Sequence, residues 1–172
     1  KKTGRKNYVN VLTYPDYREL LLNKNIDAVL LSTPDHWHAI PAIELAKAGK
    51  DIYLQKPTSL TIEEGRALSD TINRTGRILQ IGSQQRSVNP WPQFKRACEL
   101  VRNGRIGDIH TIRIGLPGDP SGPEELEMPI PPNLNYDMWL GSTPDVYYTE
   151  KRVHPQHDYS RPGWLRCEQF GA

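Results

Sequence analysis

Asp27-Ala28-Val29-Leu30-Leu31-Ser32-Thr33-Pro34 and, about twenty residues later, Asp51-Ile52-Tyr53-Leu54-Gln55-Lys56-Pro57 decide the fold of this chain. The run Ala28 to Ser32 is continuously apolar until its last residue, the mark of a strand buried on both faces of a parallel sheet. Asp51 to Leu54 reads as the next strand. The spacing between them predicts a helix over Ala39 to Ala48, because Pro41 falls in a first turn where the backbone N–H has no intrahelical partner and Gly49 supplies the stop. Beyond Pro57, Thr61-Ile62-Glu63-Glu64 is a capping box opening a helix that ends near Gly76, and Ile78 to Gly82 is a further strand. Upstream, Val9 to Tyr14 reads as a short strand, followed by a helix through Asp16 to Leu22. Strands alternating with helices specify βαβ units in a doubly wound parallel sheet. Ligands of such sheets bind outside the carboxyl ends of the strands. Pro57 pushes Lys56 out of the helical region, which aims its amine off one such end.

Past Arg86 the pattern changes. Asn89-Pro90 starts a helix whose apolar face is Phe94, Ala97, Cys98 and Val101, with Cys98 read as a core residue. Ile109 to Leu116 alternates apolar and polar residues, the pattern of a strand in an open sheet covered on one face. Pro117 to Pro132 is a Pro/Gly/Glu-rich loop, and Asn135 to Gly141 resumes packed structure. The fold class is therefore α/β: a partial Rossmann-like doubly wound parallel sheet over residues 1–86, then over 87–172 the start of a second α/β domain with an open, mostly antiparallel sheet.

Composition excludes several classes. The 22 basic residues are scattered among 20 acidic ones, so no basic surface suited to nucleic acid is indicated. No apolar run reaches the roughly eighteen residues of a membrane span. Two cysteines are too few for a disulfide framework or an all-cysteine zinc site, and agree with a reducing, cytoplasmic setting. His36 and His38, two residues apart, project to different sides of a helix and do not form a metal pair.

Several segments in order, Thr33-Pro34 with His38, Lys56-Pro57, Gly82 to Arg86, Gly104-Arg105-Ile106-Gly107 and Trp139-Leu140-Gly141, resemble the Gfo/Idh/MocA family of NAD(P)-dependent oxidoreductases. That family typically carries Glu-Lys-Pro where this chain has Gln55-Lys56-Pro57, so the lysine and proline are kept and a carboxylate is lost. The resemblance implies NAD or NADP as cofactor and a sugar or polyol as substrate. It also implies a homo-oligomer formed through the second-domain sheet. The chain holds no G-x-G-x-x-G turn, and the family's aspartate or histidine acid/base motif would lie beyond Ala172, so an internal fragment is expected.

The resemblance makes Lys56 the catalytic residue, a cation beside the nicotinamide that hydrogen-bonds the substrate hydroxyl. Ser32, Thr33, Pro34, His38, Gln55, Lys56, Pro57 and Gln84 are the expected cofactor contacts. Lys56, Gln85, Arg86, Tyr148 and His157 are the expected substrate contacts. Two other functions compete with a dehydrogenase: a redox-assisted glycoside hydrolase or lyase, and a non-catalytic binding or assembly module of the same shape.

Overall fold

The computed structural model describes residues 11–89, 92–116, 125–153 and 163–171. Its centre is a three-stranded parallel sheet, β1 (Ala28–Leu31), β2 (Asp51–Gln55) and β3 (Leu79–Gly82), in the order β1-β2-β3. Val29 pairs with Ile52 and Ile52 with Leu79; two residues on, Leu31 pairs with Leu54 and Leu54 with Ile81. Because side chains alternate along a strand, these six share one face. Helices α1 (Tyr17–Leu22), α2 (Ala39–Lys47) and α3 (Ile62–Thr75) contribute Leu20, Leu21, Ala42, Leu45, Ala46 and Leu68 to the same apolar cluster.

The helix boundaries follow the local signals. Thr61 caps α3 through a complete capping box with Glu64, and Gly76 closes it at φ 65°. Gly49 follows α2 at φ 79°. The Tyr17 hydroxyl donates to Glu44 at 2.6 Å, tying α1 to α2. Lys50 is buried, and its ammonium donates to the carbonyls of Asn23 and Ile26 at 2.8 and 2.9 Å, so the loop before β1 is held by a satisfied charge.

Four expectations are corrected. Residues 11–14 are irregular rather than a strand; among the described residues no strand runs alongside them, and Leu12 is exposed. β1 is not buried on both faces: Leu30 is 68% exposed and its cross-strand neighbour Tyr53 is exposed, so among the described residues only one side of the sheet carries helices. Helix α4 (Pro92–Arg102) forms where the periodicity places it, yet no residue of it is buried and Cys98 is exposed, because no apolar surface among the described residues meets that face. Ile109 to Leu116 forms no strand, since no described segment lies alongside to complete a ladder; the open antiparallel sheet is not formed by the described residues.

A second apolar cluster gathers Tyr136, Leu140, Tyr148, Val153 and Phe170 around α5 (Tyr136–Leu140) and α6 (Glu150–Val153). It docks on the 3-10 turn Asp35–Trp37 that follows β1. His36 Nε2 lies 2.7 Å from the Trp139 carbonyl, the Trp37 indole donates to the same carbonyl at 2.9 Å, and the His36 N–H donates to the Phe170 carbonyl at 3.1 Å. Gly141 is required here twice over: its φ is 60°, and a Cβ would lie 2.7 Å from the Trp37 ring.

Candidate functional site

The carboxyl ends of the three strands bring Ser32-Thr33-Pro34, Gln55-Lys56-Pro57 and Ser83-Gln84 to one edge. Gln55 is the hub. Its Oε1 accepts from the Lys56 N–H at 2.8 Å and from the Gln84 amide at 2.7 Å, locking the ends of β2 and β3 together. Lys56 precedes a cis peptide bond to Pro57 and is exposed; among the described residues its ammonium makes no hydrogen bond or ion pair. Gln85 and Arg86 continue in the exposed 3-10 turn Gln84–Arg86. Ser32 and Thr33 are exposed at the end of β1, although the Thr33 hydroxyl is engaged, donating to the Trp37 carbonyl at 2.9 Å.

His38 is not at this edge. It is completely buried beneath it, with Nδ1 2.5 Å from the Pro57 carbonyl and Nε2 2.9 Å from the Thr33 carbonyl. The expected cofactor contact is thus corrected to a staple between two strand-end turns. Each nitrogen faces an oxygen that only accepts, so the ring donates to both only when doubly protonated. Tyr148 is also corrected. It is 4% exposed and packs edge-on against Tyr136 at 5.3 Å, because the apolar ring is worth more inside the second cluster than at a wet edge. His157 lies outside the described residues.

Asp35 carries no motif of its own, yet it is the buried carboxyl of this region, 8% exposed at the first position of the turn after β1. Burial raises its carboxyl above the ordinary value, while the charges of His38, Lys56 and His36 pull it back. His36 is buried too, and burial lowers its ring below the ordinary value despite the nearby carbonyls of Trp139 and Phe170. A neutral ring with its proton on Nε2 facing Trp139 leaves Nδ1 as an acceptor without a partner among the described residues. No group of three or more His, Cys, Asp or Glu suited to a metal ion occurs among the described residues.

A cleft of about 770 Å³ opens between Leu60, Thr61 and Glu64 on one side and Arg152, Cys167 and Gln169 on the other. None of the strand-end residues lines it. The edge itself is the better candidate, because it gathers a free cation, fixed amides and exposed hydroxyls where parallel sheets bind ligands. Its donor set suits the nicotinamide and ribose end of a dinucleotide.

Residues 2–83 match a family described as "Oxidoreductase family, NAD-binding Rossmann fold", and residues 120–164 match its "C-terminal alpha/beta domain". The chain is 34% identical over 121 residues to the uncharacterized oxidoreductase YrbE of Bacillus subtilis, covering 70% of this chain and 32% of that protein. It is 37% identical over 143 residues to glycosyl hydrolase family 109 protein 1 of Shewanella sp. (strain ANA-3), covering 82% of this chain and 28% of that one. Among solved structures, myo-inositol 2-dehydrogenase from Lactobacillus plantarum superposes with a TM-score of 0.51 at 28% identity, over 56% of this chain and 28% of that chain. The chain spans about a third of the length of the curated relatives it matches.

Proposed function

The chain belongs to the Gfo/Idh/MocA oxidoreductase family, and from that membership we propose that the intact protein transfers hydride between NAD or NADP and a hydroxyl-bearing carbon of a sugar or polyol. The observation that carries this reading is the uncommitted Lys56 ammonium at the strand-end edge, held in place by the Gln55–Gln84 lock and by His38 behind Pro57. When bound, the nicotinamide supplies the carbon that exchanges hydride with substrate. Lys56 would hydrogen-bond the carbinol oxygen and stabilise the negative charge that develops on it as its proton passes to a base; that charge is consumed as the carbonyl forms and the hydride leaves for the nicotinamide. Ser32, Thr33, Pro34 and Gln84 face the cofactor's ribose and carboxamide side in this reading. Gln85 and Arg86 reach toward substrate hydroxyls in the same reading. The likeness to a myo-inositol dehydrogenase supports a polyol as the substrate class.

The glycosyl hydrolase relative, similar over 82% of the chain, favours a second reading. A transient oxidation at the same edge acidifies the neighbouring C–H, the glycosidic bond eliminates, and the hydride returns, so no net cofactor reduction remains. One experiment separates the two. The intact protein is incubated with NAD or NADP and either free polyols, including myo-inositol, or a chromogenic aryl glycoside. Accumulating reduced nicotinamide supports the dehydrogenase; released aglycone without it supports the lyase. Neither signal from a protein that still binds NADH leaves a non-catalytic module and removes both.

The division near residue 86 belongs to the same proposal, supported by two separate apolar clusters. So does self-association, for which the exposed Ile112, Ile114 and Leu116 offer apolar surface to a second copy. Light scattering of the intact protein tests it, and a monomer at all concentrations would remove it.

A further inference from the structure

We propose that the side-chain amides of Gln55 and Gln84 together form a seat for a primary carboxamide, that of the nicotinamide, and that glutamine at position 55 makes this contact in a way a glutamate could not. The proposal rests on the reading that the strand-end edge takes the nicotinamide end of the dinucleotide.

The orientation of both amides follows from one backbone group. The Lys56 N–H lies 2.8 Å from the Gln55 side chain and can only donate, so the atom that meets it is the Gln55 oxygen. That oxygen also lies 2.7 Å from the end of Gln84, and an acceptor needs a donor opposite, so Gln84 turns its nitrogen toward Gln55. Two groups are left over: the Gln55 –NH2, a donor, and the Gln84 oxygen, an acceptor. Among the described residues neither makes a hydrogen bond. They belong to adjoining amides at the carboxyl ends of β2 and β3, with Gln84 exposed and Gln55 half-buried. Gly82, opposite Gln55 in register, keeps the pair uncrowded: a Cβ there would lie 3.3 Å from the Gln55 oxygen and 3.2 Å from the Tyr53 hydroxyl.

A donor beside an acceptor is the complement of a primary carboxamide, which carries one C=O and one –NH2. In this seat its oxygen accepts from Gln55, its nitrogen donates to Gln84, and the Gln84–Gln55 hydrogen bond already present closes a ring of amides that polarise one another. Glutamate at position 55 would still accept from the Lys56 N–H and from Gln84, so the lock would survive. The donor would not, and a carboxylate oxygen would face the carboxamide oxygen instead. The residue that separates this chain from Glu-Lys-Pro thus supplies the N–H that the seat needs.

The test measures binding to the intact protein by calorimetry, with no substrate present. NADH is the probe, because its ring is uncharged and a new carboxylate gains nothing from it; ADP-ribose, which lacks the nicotinamide, is the control. Gln55→Glu is expected to weaken NADH binding about tenfold, the size of one hydrogen bond lost, and to leave ADP-ribose unchanged. Unchanged NADH affinity, or an equal loss for both ligands, overturns the seat. The acceptor is tested with reduced acetylpyridine adenine dinucleotide, in which a methyl group replaces the carboxamide –NH2. Wild type is expected to bind this analogue about tenfold more weakly than NADH, and Gln84→Met, with no acceptor to offer, to bind the two alike. A ratio that is the same in wild type and Gln84→Met overturns the seat, because a change of shape alone lowers both affinities together. Turnover of myo-inositol with NAD is then measured separately. The expected binding pattern without turnover removes the hydride-transfer reading alone, and turnover by a protein whose NADH affinity ignores both substitutions removes the carboxamide seat alone.

Discussion

His38→Leu is the most direct probe of how the site is held. The leucine fills much of the ring's volume, so the cavity contribution is small and the change is mainly polar. It strands two carbonyl oxygens, of Thr33 and Pro57, that the ring now contacts at 2.9 and 2.5 Å. Each orphaned buried acceptor costs about 1–3 kcal/mol. Water reaches part of the exposed Thr33 turn, so the lower part of that range applies and the total should be about 2–3 kcal/mol. His38→Asn carries both its N–H donors on one nitrogen of a shorter side chain and so reaches one of the two carbonyls, and it should lose about half as much. The assay is urea unfolding of the intact protein followed by tryptophan fluorescence, comparing midpoints at constant slope. Because Pro57 is adjacent to Lys56, turnover should fall with stability in the order wild type, Asn, Leu. A loss below about 1 kcal/mol for the leucine variant, or an asparagine variant no better than leucine, would refute the staple and leave His38 as ordinary core.

Lys56→Met is expected to lower kcat by about a hundredfold or more, the usual scale for a positioned charge-stabilising group, without changing the unfolding midpoint; unchanged turnover in the folded variant removes Lys56 from the mechanism. Gly141→Ala should cost about 1–3 kcal/mol, since it combines a φ of 60° with a Cβ 2.7 Å from the Trp37 ring, and a Trp37→Ala background should return part of that loss. Tyr17 should be among the last tyrosines to ionise on spectrophotometric titration. Burial, first, and the hydrogen bond to Glu44 push it up to about 12 from an ordinary 10.0. Its raised folded value means that the associated stability is complete below pH 10 and is lost as pH climbs toward 12; Tyr17→Phe should flatten that part of the stability profile.

What the sequence determined by itself is local. The Thr61–Glu64 capping box, the stops at Gly49 and Gly76, the tolerated Pro41 and the strand-helix alternation from Ala28 to Gly82 depend on residues a few positions apart, and each lies where its pattern places it. The strand ends also follow from order alone, so Ser32 to Pro34, Gln55 to Pro57 and Gln84 meet at one edge because parallel strands must. Periodicity says which side of an element is apolar but not whether anything arrives to cover it. The faces of α4 and of residues 109–116 are open for that reason, while Tyr148 is closed over. Tertiary structure decided the rest of the site. His38 became a staple only because Thr33 and Pro57 converge on it, and Asp35 became a buried acid only because Gly171 and Trp164 close over the turn. The contact that seats this turn, His36 on the Trp139 carbonyl, joins residues 103 positions apart. No local pattern encodes such a pairing, because its energy comes from burial and hydrogen bonds that exist only once distant segments have packed.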